Sequence, residues 1–353
     1  MSNDDIYKFK VAMCGPSRVG KTSLITAILE ESQKILAGTP ISIEPIGTTL
    51  SRINQQINAL RGSILSGEFN PGALRGTQDA TRFELDLKMT IQSSFIEQVK
   101  SIFGKDTIDR KANSIIRWAI LDYPGAWLEL LKTPPEFDKW IKESNVLLVP
   151  IDAAVTMEVS RPKEIQARQF VLQIAQTVQL ARKWSKERNE KKESGLMILA
   201  PVKGESYFKD NGGNVSKKDE LFATVKTLYG DLIQAVQNES KNATIKIEYH
   251  PIDTIGCVEI KSSHWKKADD NDNTLLEFSA DYIVRQGKTY SPFAAGDLLI
   301  SICKYILESR DGKGVGNLPI LKWLDNISQF RDEIEKIVKS DIRRKSERIR
   351  NTF

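Results

Sequence analysis

Gly15-Pro16-Ser17-Arg18-Val19-Gly20-Lys21-Thr22 satisfies the pattern G-x-x-x-x-G-K-[ST] at every position. The apolar run KFKVAMC (Lys8–Cys14) leads into it, and SLITAILEESQKIL (Ser23–Leu36) leads out with the spacing of an amphipathic helix. A glycine-bearing turn between a strand and a helix lets backbone N–H groups wrap phosphate oxygens at the positive end of that helix. Gly15, Pro16, Ser17, Arg18, Val19, Gly20, Lys21, Thr22 and Ser23 are therefore the expected nucleotide-binding residues. Lys21 would neutralise β- and γ-phosphate oxygens, and Thr22 would offer its hydroxyl to Mg²⁺.

Working outward, WAILDYPGAW (Trp118–Trp127) is an apolar strand that delivers Asp122, with Gly125 three positions later. In a chain that already carries the phosphate loop, an acid at a buried strand end reaches Mg²⁺ through water. A glycine at the next turn lets its N–H approach the γ-phosphate. Further apolar runs, Phe9–Met13, Phe83–Met89, Ile115–Leu121, Val146–Ile151, Leu196–Pro201 and Ile245–Ile252, alternate with helical patterns, which argues a mostly parallel α/β sheet. FELDLKM (Phe83–Met89) alternates apolar and polar, as an antiparallel edge strand would. Helices are expected over Thr48–Ser66, Ser93–Phe103, Arg161–Lys192 (as one long helix) and Pro319–Arg350.

The 353 residues, 40% hydrophobic and 27% charged, suffice for a proper core. A net charge of +5 is too weak to argue nucleic-acid binding. Cys14, Cys257 and Cys303 form no CxxC pair, and only His250 and His264 exist, so zinc sites and Ser/His/Asp triads are not indicated. The acidic loop Asp269–Asn273 lacks the glycine and glutamate of an EF-hand. The start, MSNDDIYKFK, carries no signal core, and no apolar run nears the ~20 residues of a membrane span. The expected location is cytoplasmic.

The loop together with LDYPGAWLELL resembles the TRAFAC class of P-loop GTPases, and more narrowly the YcjX-type proteins and bacterial double-GTPase conflict-system proteins. The resemblance implies an α/β, Ras-like P-loop NTPase fold: a mostly parallel twisted sheet with helices on both faces, helical insertions and a C-terminal helix. It implies a GTPase domain over 1–312, with an inserted switch-I region at 39–81 and a helical insertion at 92–114, and a helical tail at 313–353. GTP or GDP and Mg²⁺ are the implied ligands, held at the metal by Thr22, Asp122 and a switch-I threonine, Thr77 or Thr81, with Thr77 favoured. Lys203 and Glu205, in Val202-Lys203-Gly204-Glu205, align with a base-reading [NT]KxD element, and Thr254–Gly256 with the loop that follows the sixth strand. Val202 and Glu205 depart from that element, so an ATP-using ATPase or kinase stays open.

Where many GTPases place a water-orienting glutamine, this chain has Ala126. Slow turnover is expected, with Lys21, Thr77, Gly125 and Arg18 as the catalytic candidates. A nucleotide-binding scaffold with negligible hydrolysis is the other alternative. The resemblance implies a molecular switch in bacterial defence or stress signalling, with a protein partner or a homodimer across the nucleotide face. The tail's stripe (Leu321, Leu324, Ile327, Phe330, Ile334, Ile337) must pack on a partner or on this chain's own sheet.

Overall fold

In the computed structural model, the run before the phosphate loop forms β1 (Ile6–Met13), followed by α1 (Lys21–Leu36), β2 (Ile41–Pro45) and α2 (Thr48–Leu65). Next come β3 (Glu68–Phe69), β4 (Thr81–Met89), β5 (Ile115–Asp122), α3 (Pro135–Glu143), β6 (Val146–Asp152) and α4 (Ala153–Met157). The chain continues through α5 (Pro162–Val171), α6 (Ile174–Lys191), β7 (Gly195–Val202), α7 (Lys218–Leu228), α8 (Gly230–Glu239) and β8 (Ile245–Tyr249). It goes on with β9 (Val258–Asp269), β10 (Asp272–Val284) and α9 (Gly296–Asp311). The structure describes residues 6–39, 41–65, 68–69, 80–89, 115–123, 127, 134–213, 216–269, 272–311, 332–333 and 335–337. The expected helix Ser93–Phe103, the 92–114 insertion, and most of Pro319–Arg350 lie outside them.

Seven strands form one sheet in the order β2-β4-β5-β1-β6-β7-β8. β1 pairs in parallel with β5 and β6, β6 with β7, and β7 with β8; β4 runs antiparallel to both β5 and β2. Alternation along β1 and β6 divides the interior in two. Val11, Met13, Val146 and Leu148 face α1, Ile53 of α2, and Leu298 and Leu299 of α9. Ala12, Cys14, Leu147, Val149 and Ile151 face the layer with Phe137, Leu180, Trp184, Leu221 and Leu232. Helices thus cover both faces of a mostly parallel sheet, in the strand order of a Ras-like P-loop NTPase fold. The phosphate loop leaves β1 at the centre of the sheet, beside the crevice where the strand order reverses.

Three sequence expectations change. β4 is antiparallel as expected but is not an edge: β2 pairs beyond it, with Ile43 opposite Leu87. The polar face of β4 is then closed by Asp86, 3% exposed, which accepts two hydrogen bonds from the Arg117 guanidinium opposite it on β5, at 2.7 and 3.0 Å. Arg117→Met should cost about 3 kcal/mol in urea unfolding by stranding the buried carboxylate. Adding Asp86→Asn should recover much of that loss. The long helix expected over Arg161–Lys192 is two helices. Gln173 adopts the left-handed conformation (φ 49°) between them, and its carbonyl accepts from the Thr177 N–H and hydroxyl to start α6.

The third change is a hairpin where only an acidic loop was expected. β9 and β10 are long antiparallel strands, with β3 paired to β10 and Asp272 opposite Asp269. Ile260 opposes Tyr282 while Ser262 opposes Asp281, so Lys261 is an extra residue, a bulge. The bulge puts Ile260 and Trp265 against the same core layer despite their odd spacing, which hides the period of two from a sequence reading. Of the tail's apolar stripe, Ile337 is buried in the main core cluster, so at that point the tail docks on its own chain.

Candidate functional site

Gly20, in the left-handed region at φ 106°, turns the chain from the loop into α1. No side-chain oxygen caps this helix start and its first turn carries no acid. A helix start with neither a cap nor an acid suits an anion. Val19, 1% exposed, anchors the loop to the core, while Ser17 and Arg18 face solvent.

Lys21 is buried and donates from Nζ to the carbonyls of Gly15 and Pro16, both at 3.0 Å, reaching back along the loop. Its ammonium lies 5.3 Å from the centre of the Tyr123 ring. Burial lowers its pKa and the Asp122 carboxylate partly opposes that, so a bound anion would complete a cation the fold already holds at some expense. Thr22 Oγ1 donates to Asp122 Oδ2 at 2.8 Å, although 100 residues separate them, and Asp122 is fully buried. A hydroxyl and a carboxylate are the hard oxygen donors that Mg²⁺ takes beside phosphate oxygens and water, so this pair fits the expected metal. Among the described residues, no cluster of three or more His, Cys, Asp or Glu could form an all-protein cage.

Thr81 stands directly opposite Asp122 at the start of β4, and its Oγ1 accepts from Arg52 Nη1 of α2 at 2.5 Å. Ser23 is buried, with Gln56 Nε2 of α2 at 3.4 Å from its hydroxyl. Thr77, Gly125 and Ala126 lie outside the described residues.

At the other end of the crevice, Lys203 follows β7 in a left-handed conformation (φ 59°) and donates from Nζ to the Arg18 carbonyl at 3.1 Å and to the Asp152 carboxylate. Its stem runs beside Gly20. Asp152 also caps α4, accepting at Oδ1 from the N–H groups of Ala154 and Val155. Glu205, 2% exposed, points inward: Oε1 accepts from the N–H groups of Ile255 (2.7 Å) and Gly256 (3.2 Å), holding the loop after β8. Thr254, 1% exposed, and the fully buried Asp253 lie in that loop. Asn211 Nδ2 donates to Asp253 at 3.1 Å, and Arg285 donates to the carbonyls of Asn211 and Glu205.

Burial, and secondarily the Asp253 carboxylate, push Glu205 up to about 7. A carboxyl raised by folding adds stability below its unfolded pKa that is lost as pH climbs through the folded one. Stability should therefore contain a component that falls between about pH 5 and pH 8, on the order of 2–3 kcal/mol. Glu205→Gln keeps an acceptor for the two N–H groups and should flatten that component in denaturant midpoints taken across the range.

The structure thus brings together Lys21, Thr22, Asp122 and Thr81 at one end of the crevice, and Arg18, Lys203 and the Glu205 loop at the other. The sequence reading missed Asp152, Asn211, Arg285 and Arg52. Asp152 had a signal: it ends the apolar strand VLLVPID as Asp122 ends its own. The others meet the site only through tertiary contacts.

No protein-family model matches the chain, and no curated protein matches it. Among solved structures, the chain is similar to Toc33 from Arabidopsis thaliana, crystallised as a dimerization-deficient mutant. The two are 13% identical, with a TM-score of 0.30, over 84% of this chain and 83% of that one. None of the described helices is long and apolar enough to cross a membrane.

Proposed function

We propose that the chain is a Mg²⁺-dependent GTP-binding protein that hydrolyses GTP slowly and acts as a molecular switch in bacterial defence or stress signalling. The observation that carries this reading is the Thr22–Asp122 hydrogen bond at the mouth of the Gly15–Thr22 loop, which presents a metal-binding oxygen pair where the phosphates of a nucleotide would lie. Lys21, Thr22, Asp122 and Thr77 or Thr81 serve the phosphates and the metal, with Gly125 and Arg18 assisting hydrolysis. Lys203 lies along the base, and Thr254 and Glu205 form the floor of its pocket. Residues 1–312 form the nucleotide domain and 313–353 its tail, with a protein partner or a second copy across the nucleotide face.

One observation favours a second reading, an ATP-using P-loop enzyme. Glu205, which a guanine-reading [NT]KxD element would need as acceptor for guanine N1 and N2, has Oε1 committed to the Ile255 and Gly256 amides. Fluorescent GDP and ADP titrations with and without Mg²⁺ separate the two. The GTPase reading expects GDP binding that unlabelled ADP fails to compete; preference for ADP overturns it and leaves the phosphate chemistry in place.

A further inference from the structure

Helix α2 lies between α1 and β4, and one face of it is docked on the site. Thr49 Oγ1 accepts from the Glu84 N–H at 2.9 Å, Ile53 and Leu60 are buried, and Arg52 and Gln56, one turn apart, reach Thr81 and Ser23. Positions 49, 52, 53, 56 and 60 share a helix face. Two of these contacts end on the immediate neighbours of the Thr22–Asp122 pair: Thr81 lies opposite Asp122 across the β4–β5 ladder, and Ser23 follows Thr22 in the chain.

We propose that Arg52 is a positioning residue that couples the seating of α2 to occupancy of the metal and γ-phosphate corner. It rests on the nucleotide reading above. The guanidinium holds the Thr81 hydroxyl beside Asp122, so any ligand that reorganises Thr22, Asp122 and Thr81 also changes what Arg52 can bond. By linkage, a triphosphate with Mg²⁺ then shifts the docking of α2 by the same factor that docked α2 shifts triphosphate affinity. Arg52 is exposed. Its removal should therefore spare the fold, unlike a change at the buried Thr49 or Ile53.

The test compares the wild type with Arg52→Gln and Arg52→Lys. Affinities for fluorescent GDP and for a non-hydrolysable GTP analogue are measured with and without Mg²⁺, and hydrogen exchange is followed at the amides of 48–65. In the wild type, the Mg²⁺–triphosphate complex should change α2 exchange relative to GDP. Arg52→Gln should cut the Mg²⁺-dependent ratio of triphosphate to diphosphate affinity by about tenfold and abolish the exchange difference, while Arg52→Lys should restore part of both. An Arg52→Gln protein with wild-type ratio and wild-type exchange difference overturns this proposal alone. A wild type that binds neither nucleotide overturns the nucleotide reading along with it.

Discussion

Lys21→Ala is expected to weaken Mg²⁺-nucleotide binding by about 100-fold or more, while changing the stability of the nucleotide-free protein by no more than about 1 kcal/mol. The two effects separate because the ammonium does different work in the two states. Without ligand it donates to the carbonyls of Gly15 and Pro16, and that gain is offset by the desolvation that lowers its pKa. With phosphate present, the same cation faces a multiply charged anion, and each charge-assisted hydrogen bond contributes about 1.5–3 kcal/mol. Paired titrations of fluorescent GDP and urea midpoints measure both. A large stability loss with unchanged affinity would make Lys21 a structural brace for the loop.

The second large effect is expected at Gly256. Its φ of +80° is already unfavourable for an L side chain, and a Cβ there would lie 1.7 Å from the Ser291 carbonyl oxygen and 2.5 Å from its carbon. That carbonyl has little room to retreat, because the Ser291 N–H is hydrogen-bonded to the Ile255 carbonyl at 3.0 Å. Gly256→Ala should therefore destabilise by more than about 3 kcal/mol. It should also loosen the Glu205 contacts to the Ile255 and Gly256 amides. Gly287→Ala is the control: φ is similar at +69°, but nothing lies within 4 Å of the added carbon. Its cost should stay near 1 kcal/mol, the strain term alone. Equal losses in the two variants would show that the Ser291 contact relaxes freely.

The six strands read from apolar runs all appear in the sheet: β6 and β7, buried along their whole length, are apolar at nearly every position, while β4 was legible from its alternation. β2 escaped notice: ISIEP is five residues long and ends in proline, weak in both length and composition. The Arg161–Lys192 pattern hid a break, since one left-handed residue at Gln173 leaves no mark on helical periodicity. The β9–β10 hairpin was lost to a bulge that shifts parity in mid-strand. In the candidate site, the loop after β7 was singled out in the chain, but the inward direction of Glu205 was not legible. It depends on the Ile255 and Gly256 amides, fifty residues on.

By itself, the sequence determined the phosphate loop, the strand-terminal Asp122 and the alternation of strands and helices, because each is local. A glycine where φ is positive, a lysine beside it and an apolar strand end can all be read within a dozen residues. Only the tertiary structure decided which side chains meet. Thr22 with Asp122, Arg52 with Thr81, Lys203 with Asp152 and Arg18, and Glu205 with the loop after β8 all join separate elements. Those meetings follow from strand order, with β5 and β6 flanking β1 and β4 turned antiparallel. Strand order is set by how whole helices pack on the two faces of the sheet, which no local period encodes.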